Sequence, residues 1–477
     1  MTKKIILFQK NMIFFILFFL LTSSFLIGLL KGPIVPNEIQ SKNCARNVSL
    51  PFGGGVTLNC DSGMYVRLAK NPLLLFEEKR IVHNRILTAG NVEQATPGST
   101  YLVWIISQPL YFIWKGFDKS FSELISQIKS SLNETYIQQD INQTIDDSFP
   151  NFKSFLPSYV SYIIFHFFLI FLTFTFYIKT LYDKPFNLNL FTKPFLWIGS
   201  FLLINDIVKQ FFFSPGPQLF RIFAPIITIY FSNKILVSKN ANKDFFIGTL
   251  FVGFGMLFYF NFFISVLTIG FAWLIKSGFF SEPINFIKKQ YFNFLLSIIV
   301  FTFPYFTWYI ICLITNDGLF IYDLDQTNNG IDVFKIILNE EGFNAVYKTF
   351  LDSIINTYKR SLIHSWHILA ILFSFLLLLK FKLTNIEKNL LTTSLFYSFF
   401  IILFFCIYKP TGEPRLVFSG FIIFLPLIGE MSKRIINLRK RFLGFLIFLI
   451  FLFSGHVIHK NSPYGWYNID GYYFFEE

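Results

Sequence analysis

"FFIGTLFVGFGMLFYFNFFISVLTIGFAWLI", residues 245–275, decides the fold of this chain. The stretch is too long for one ordinary membrane span of about 20 residues and short for two. A split at Asn261 gives spans at 245–260 and 262–275. Since each span reverses the direction of the chain, that choice sets the side on which every later loop lies. The setting agrees with a membrane reading: 53% of residues are hydrophobic, only 14% are charged, mean hydropathy is +0.53 and Phe fills 69 of 477 positions. No soluble class has this balance. The net charge of +13 is scattered in short groups between apolar runs, which excludes a nucleic-acid interface and points instead to topology.

The expected fold is therefore an all-α polytopic membrane protein of about eleven transmembrane helices. The first apolar run, 12–30, follows Lys3, Lys4 and Lys10 without a small-x-small cleavage site and reads as a retained signal anchor. Further spans are expected at 157–178, 194–208, 218–232, 245–260, 262–275, 291–314, 362–379, 389–408, 416–430 and 442–457. Charge tests the order. Residues 1–10, 179–194, 233–244, 276–290 and 380–388 hold three Lys or Arg each and 431–441 holds five, together 20 of the 41 in the chain. Against them stand only Asp183, Asp244, Glu282 and Glu387, with Glu430 at the edge. By the positive-inside rule that side is cytoplasmic.

This order divides the chain into a signal anchor (1–31), a long extracytoplasmic loop holding short amphipathic helices and the candidate active site (32–156), a transmembrane bundle (157–314), a second outer loop (315–361), C-terminal helices (362–458) and an outer tail (459–477). The N-terminus is then cytoplasmic and the C-terminus extracytoplasmic, in the plasma (inner) membrane of a bacterium. Residues 101–114 are apolar but short and hold Gln108 and Pro109. Counting them as a span would reverse every later assignment, so they read as interfacial or re-entrant.

Cys44 and Cys60 share the first outer loop, where the oxidising compartment favours a disulfide around "PFGGG"; two free thiols are the alternative. Nucleotide-binding P-loop, HExxH, GxSxG and CxxC patterns are missing from the sequence. No metal site is expected: His364 and His367 have no third ligand, and "YDLDQ", with Asp323 and Asp325, reads as a solvated acidic loop sooner than a divalent-cation site. Asp206 lies in or at the end of a span, where an ionisable group has either a partner such as Lys209 or a task.

One stretch carries chemistry: "CDSGMYVRLAKNPLLLFEEKRIVHNRIL", 60–87. Its Asp61, Tyr65, Ala69 and Arg85-Ile86-Leu87, with Glu413-Pro414-Arg415 before a late span, resemble the GT-C superfamily of polytopic glycosyltransferases, in which an acidic residue follows the first transmembrane helix. The resemblance implies sugar transfer from a polyprenyl-phosphate-linked donor on the extracytoplasmic face. Asp61 is then the general base, and Tyr65, Arg80, Arg85, Glu413 and Arg415 contact substrate. The competing role for Asp61 is a helix N-cap. A polysaccharide polymerase or ligase of similar build is the nearest alternative reading, and a transporter or flippase of lipid-linked substrates is the alternative from another class. The expected partners are the bilayer and the polyprenyl-phosphate-linked sugar, with no cofactor beyond a possible divalent cation.

Overall fold

A computed structural model describes residues 46–49, 55–58, 65–66, 68–75, 79–82, 85–88, 97–131, 152–181, 215–259, 261–315, 337–408 and 418–437. The expected spans at 12–30, 194–208 and 442–457 lie outside these residues. Two antiparallel hairpins come first. β1 (Arg46–Ser49) pairs with β2 (Gly55–Leu58), and β3 (Lys79–Val82) pairs with β4 (Arg85–Thr88). The first outer loop, expected to hold short amphipathic helices, holds these two hairpins among its described residues as well as helical segments at Pro72–Leu75 and Gly98–Ser131. The alternating Arg-Ile-Val and Arg-Ile-Leu runs of β3 and β4 suit a two-sided ribbon better than a helix.

The remainder of the described chain is helical. In order the helices are α1 (Gly98–Ser131), α2 (Phe152–Leu181), α3 (Phe220–Val237), α4 (Ala241–Met256), α5 (Phe262–Lys276), α6 (Pro283–Thr315), α7 (Phe343–Leu378), α8 (Asn385–Tyr408), α9 (Ser419–Ile422) and α10 (Leu425–Asn437). Among the described residues, 157–181, 217–237, 283–314 and 385–404 are long and apolar enough to cross a membrane, and Phe262–Lys276 is a shorter apolar helix. The chain is a helical membrane protein. The division at Asn261 holds: α4 ends at Met256, and Asn261 stands immediately before α5.

Three boundaries differ from the sequence reading. Residues 101–114 belong to a continuous helix of 34 residues that runs through Pro109. α7 begins at Phe343, well inside the expected second outer loop, and continues without a break into the expected span. The single span expected at 416–430 is two helices, α9 and α10, separated at Ile423–Phe424. Pro426 fits the break, because a proline ring clashes with the carbonyl four residues earlier and lacks an N–H, costs that vanish in the first turn of a helix, where Pro426 lies in α10. The break leaves carbonyls without helical donors, and α8 supplies them. The Ser398 hydroxyl donates to the Gly420 carbonyl, and Ser394 Oγ donates to the Ile423 carbonyl at 3.1 Å.

α3 occupies the centre, packed against α2, α4, α5, α8 and α9. α4 approaches α6 most closely at Gly253, where a Cβ would stand 2.6 Å from the Phe301 carbonyl oxygen. The basic segments gather at one end of this bundle. Lys433 Nζ donates to the Leu181 carbonyl at 2.7 Å, and Arg434 donates to the Lys382 carbonyl at 2.8 Å and to Glu387. Lys234 pairs with Asp244 at 2.9 Å, and Trp273 Nε1 donates to Asn242 Oδ1 at 2.9 Å. Glu387 also closes a reciprocal cap on α8: its carboxylate accepts from Thr384 N at 2.7 Å while Glu387 N donates to Thr384 Oγ1 at 3.2 Å.

Candidate functional site

The end of the bundle opposite the basic segments receives the stretch that follows Asp61. Tyr65, Val66, Leu68 and Ala69 are buried, and Lys70 is exposed beside them. Tyr65 packs edge-on against Tyr162 of α2, ring centroids 6.4 Å apart. Its ring also lies against Gly216, a residue with φ of 144°, where any Cβ would be strained by the backbone and 3.0 Å from the Tyr65 ring. His166, buried in α2, bonds the Gly216 carbonyl through Nε2 at 2.9 Å. The Ala69 carbonyl accepts from Ser107 Oγ of α1 at 3.3 Å. A buried tyrosine, a glycine turn and a histidine thus tie the 65–70 segment to α1, α2 and the start of α3.

α1 stays at this same end over its described contacts. Gly98 N donates to the Leu257 carbonyl at 2.7 Å, the Tyr101 ring meets Trp308 edge-on at 5.9 Å, and the Tyr111 hydroxyl bonds Ser158 Oγ at 2.7 Å. Burial pushes the Tyr111 hydroxyl pKa up, and the Ser158 bond partly offsets the rise. The inward residues of α1 are small, Ser99, Thr100, Val103 and Ser107, whereas Ile105, Phe112 and Ile113 face outward. An outward apolar face suits an interfacial position at the bilayer surface.

Tyr65 is the one residue of the expected site whose side chain lies among the described residues, and it is packed as a core residue. Arg80 lies on β3 and Arg85 on β4. Since Arg80 is opposite Leu87 and Val82 is opposite Arg85, the register gives Arg80 and Arg85 positions on the same face of the hairpin. Asp61, Asp206, Glu413, Arg415, Cys44 and Cys60 lie outside the described residues, as do Asp323 and Asp325. Among the described residues no group of three His, Cys, Asp or Glu is placed to hold a metal.

The sequence reading missed the polar residues that share this end. Arg221, in the first turn of α3, is only 3% exposed. Its Nε donates to the Tyr259 hydroxyl, and its guanidinium stands 5.7 Å from the centroid of the Tyr259 ring. Asn261 is 3% exposed, and its side-chain Nδ2 has no hydrogen-bond partner among the described residues. The hydroxyls of Ser99 and Thr100, at the buried start of α1, are also unpartnered. The signal for Arg221 was in plain view: a guanidinium inside the expected span 218–232 is an ionisable group in a membrane segment, as Asp206 was.

Set beside known proteins, the chain matches no protein-family model, no curated protein and no solved structure.

Proposed function

We propose that this protein is a membrane glycosyltransferase that moves a sugar from a polyprenyl-phosphate-linked donor to an acceptor hydroxyl at the extracytoplasmic surface. The observation that carries the reading is the burial of Tyr65, Val66, Leu68 and Ala69 in the end of the bundle opposite the basic segments. Asp61 precedes Tyr65 by four residues, a chain length of at most about 14 Å. On this reading Asp61 works near the membrane surface, where a polyprenyl tail can remain in lipid.

In the proposed reaction the acceptor hydroxyl oxygen bonds to the sugar's anomeric carbon as the bond from that carbon to the phosphate oxygen breaks. Asp61 takes the hydroxyl proton, and polyprenyl phosphate leaves as the anion. Arg80 and Arg85, sharing a hairpin face, suit contact with the phosphate, and Arg415 suits the same task from the late turn. The acceptor hydroxyl is a weak nucleophile until its proton is removed, which is why the base matters most.

One observation favours a second reading. The discontinuous pair α9–α10, with its carbonyls served by Ser394 and Ser398, is the kind of broken helix that transporters place at a substrate site. Asp61→Asn separates the two. Asn keeps the size and the capping ability of Asp but cannot take the proton. The transferase reading expects the parent to transfer sugar from the lipid-linked donor and the variant, inserted and stably folded, to lose that transfer; transfer at the parental rate in the variant would remove Asp61 as the base, and no transfer by the parent would reject the reading. Movement of lipid-linked substrate across proteoliposomes, unchanged in Asp61→Asn, would establish the transporter reading in its place.

A further inference from the structure

The N-terminus of α1 begins inside the protein. Pro97, Ser99 and Thr100 are buried, and the first turn holds no acid. Gly98 N points at the Leu257 carbonyl, 2.7 Å away. The amides of a helix's first turn are aligned, and the Gly98 bond sets that turn of α1 against residues 257–259. Tyr259 there holds Arg221, and Asn261, two residues further on, has a buried Nδ2 without an acceptor among the described residues. Ser99 Oγ and Thr100 Oγ1 are likewise without partners.

The groups assembled here are an arginine, a side-chain amide N–H, two hydroxyls and the positive end of a long helix. An unsatisfied buried donor costs about 1–3 kcal/mol, so several in one place call for an acceptor that packing has not supplied. The combination of a helix N-terminus with a guanidinium selects an anion, and tetrahedral oxygens can accept from several donors at once.

We propose that Ser99, Thr100, Arg221, Tyr259 and Asn261 form a phosphate-binding site. Its occupant on the transferase reading is the phosphate of the lipid-linked donor, and that identity is the one part of the proposal that rests on the reading. The site lies at the end of the bundle to which the 65–70 segment is fixed, since Tyr65 packs on Gly216, five residues before Arg221.

The test is equilibrium binding of farnesyl phosphate, farnesol and inorganic phosphate to the full-length protein in nanodiscs, with Asn261→Asp, the double variant Ser99→Ala/Thr100→Val, and Ser107→Ala. Asn261→Asp sets a negative charge against the ligand, and the double variant removes both hydroxyls. Ser107, bonded to Ala69 and Trp104 carbonyls farther along α1, is the control. Farnesyl phosphate is expected to bind where farnesol does not, with affinity reduced at least about tenfold in the first two variants and within about twofold of the parent in Ser107→Ala.

Competition by inorganic phosphate at similar concentration assigns the site to the free anion. Competition only by the prenylated compound assigns it to the lipid donor, and both outcomes support a phosphate site. Equal binding of farnesol, or unchanged affinity in both folded variants, overturns it. If the variants do not fold, the parent protein decides: phosphate must raise its Tm above the value in chloride at the same ionic strength, and equal Tm values overturn the site. Loss of binding in Asn261→Asp together with no sugar transfer by the parent protein would leave the phosphate site standing and remove the transferase reading. The reverse pair of results would do the opposite.

Discussion

α3 and α6 are both apolar, yet the apolar window of α3 is 72% buried within the protein and that of α6 only 17%. The more apolar of the two is the exposed one: mean hydropathy over the window is 1.9 for α6 and 1.4 for α3. Water would reverse this order. In a bilayer the surroundings are as apolar as any core, so the outer surface carries only polar groups that bond within their own helix, as Thr302 and Thr307 do, while the interior can hold others. α6 accordingly turns Phe292, Ile299, Phe303 and Phe306 outward. α3 keeps Arg221, Thr228 and Ser232 inside, with the Thr228 hydroxyl bonded to the Ala224 carbonyl at 2.6 Å. Polarity in this molecule marks the inside, and that is why a search for function leads to α3.

The strongest way to break the comparison is a matched truncation. Ile227→Ala, in the centre of α3, should cost about 2–5 kcal/mol, whereas Ile299→Ala on the outward face of α6 should cost under about 1 kcal/mol. Reversible unfolding in mixed micelles gives both numbers, and equal costs would mean that α6 is covered by protein.

The seam between the two environments can be probed next. Gly253→Val pushes methyl groups against the Phe301 carbonyl, an overpacking worth about 1–3 kcal/mol, while Gly270→Val meets nothing within 4 Å and should be neutral. The same unfolding assay reads the difference. Loss of stability at Gly270 instead would place another helix on that face.

Smaller effects come from the polar groups that the interior accommodates. Ser394→Ala removes the donor to the Ile423 carbonyl and should cost about 1 kcal/mol, with faster amide exchange at the α9–α10 junction. Unchanged exchange would show that the break holds itself. A disulfide between Cys44 and Cys60 is expected from their shared outer loop. Oxidised protein should therefore resist thiol labelling at both cysteines until a reductant is added, and labelling before reduction would remove the bond.

The smallest effect is at the basic end. Burial raises the Asp244 pKa, but the Ser238 and Lys234 hydrogen bonds outweigh it and hold the carboxyl below the usual range. A depressed carboxylate stabilises the fold above its unfolded pKa and loses that contribution as pH falls through the folded value. The effect therefore appears only in acid, below about pH 4. Lys234 is partly exposed, so Asp244→Asn should flatten the acid limb of a stability profile by no more than about 1 kcal/mol. An identical acid limb in the variant would assign it to other carboxylates.

Much of the fold was legible because a bilayer imposes one strong rule on sequence, that a crossing segment be long and apolar. The rule located α2, α3, α5 and α8 to within a few residues. It found the division at Asn261, and the clustering of basic segments foreshadowed which loops meet at one end of the bundle. It failed where length and hydropathy carry no information. The helical extent of α1 past 114, the start of α7 at Phe343 and the hairpins of the first loop depend on local pairing and packing. Pro426 announced the α9–α10 break but was read as part of one span.

The candidate site divides in the same way. The sequence by itself determined a membrane protein, the approximate order of most described spans and an outer stretch whose residues resemble a transferase. Only the tertiary structure decided that Tyr65 and Ala69 are fixed into the bundle, that His166 serves the Gly216 turn, and that the start of α1 meets the turn whose Tyr259 holds Arg221. The physical reason is separation along the chain. Residues 98, 221 and 259 lie in three different segments with no common period or motif, and they become neighbours only when the helices pack and water is excluded from the donors they bring together.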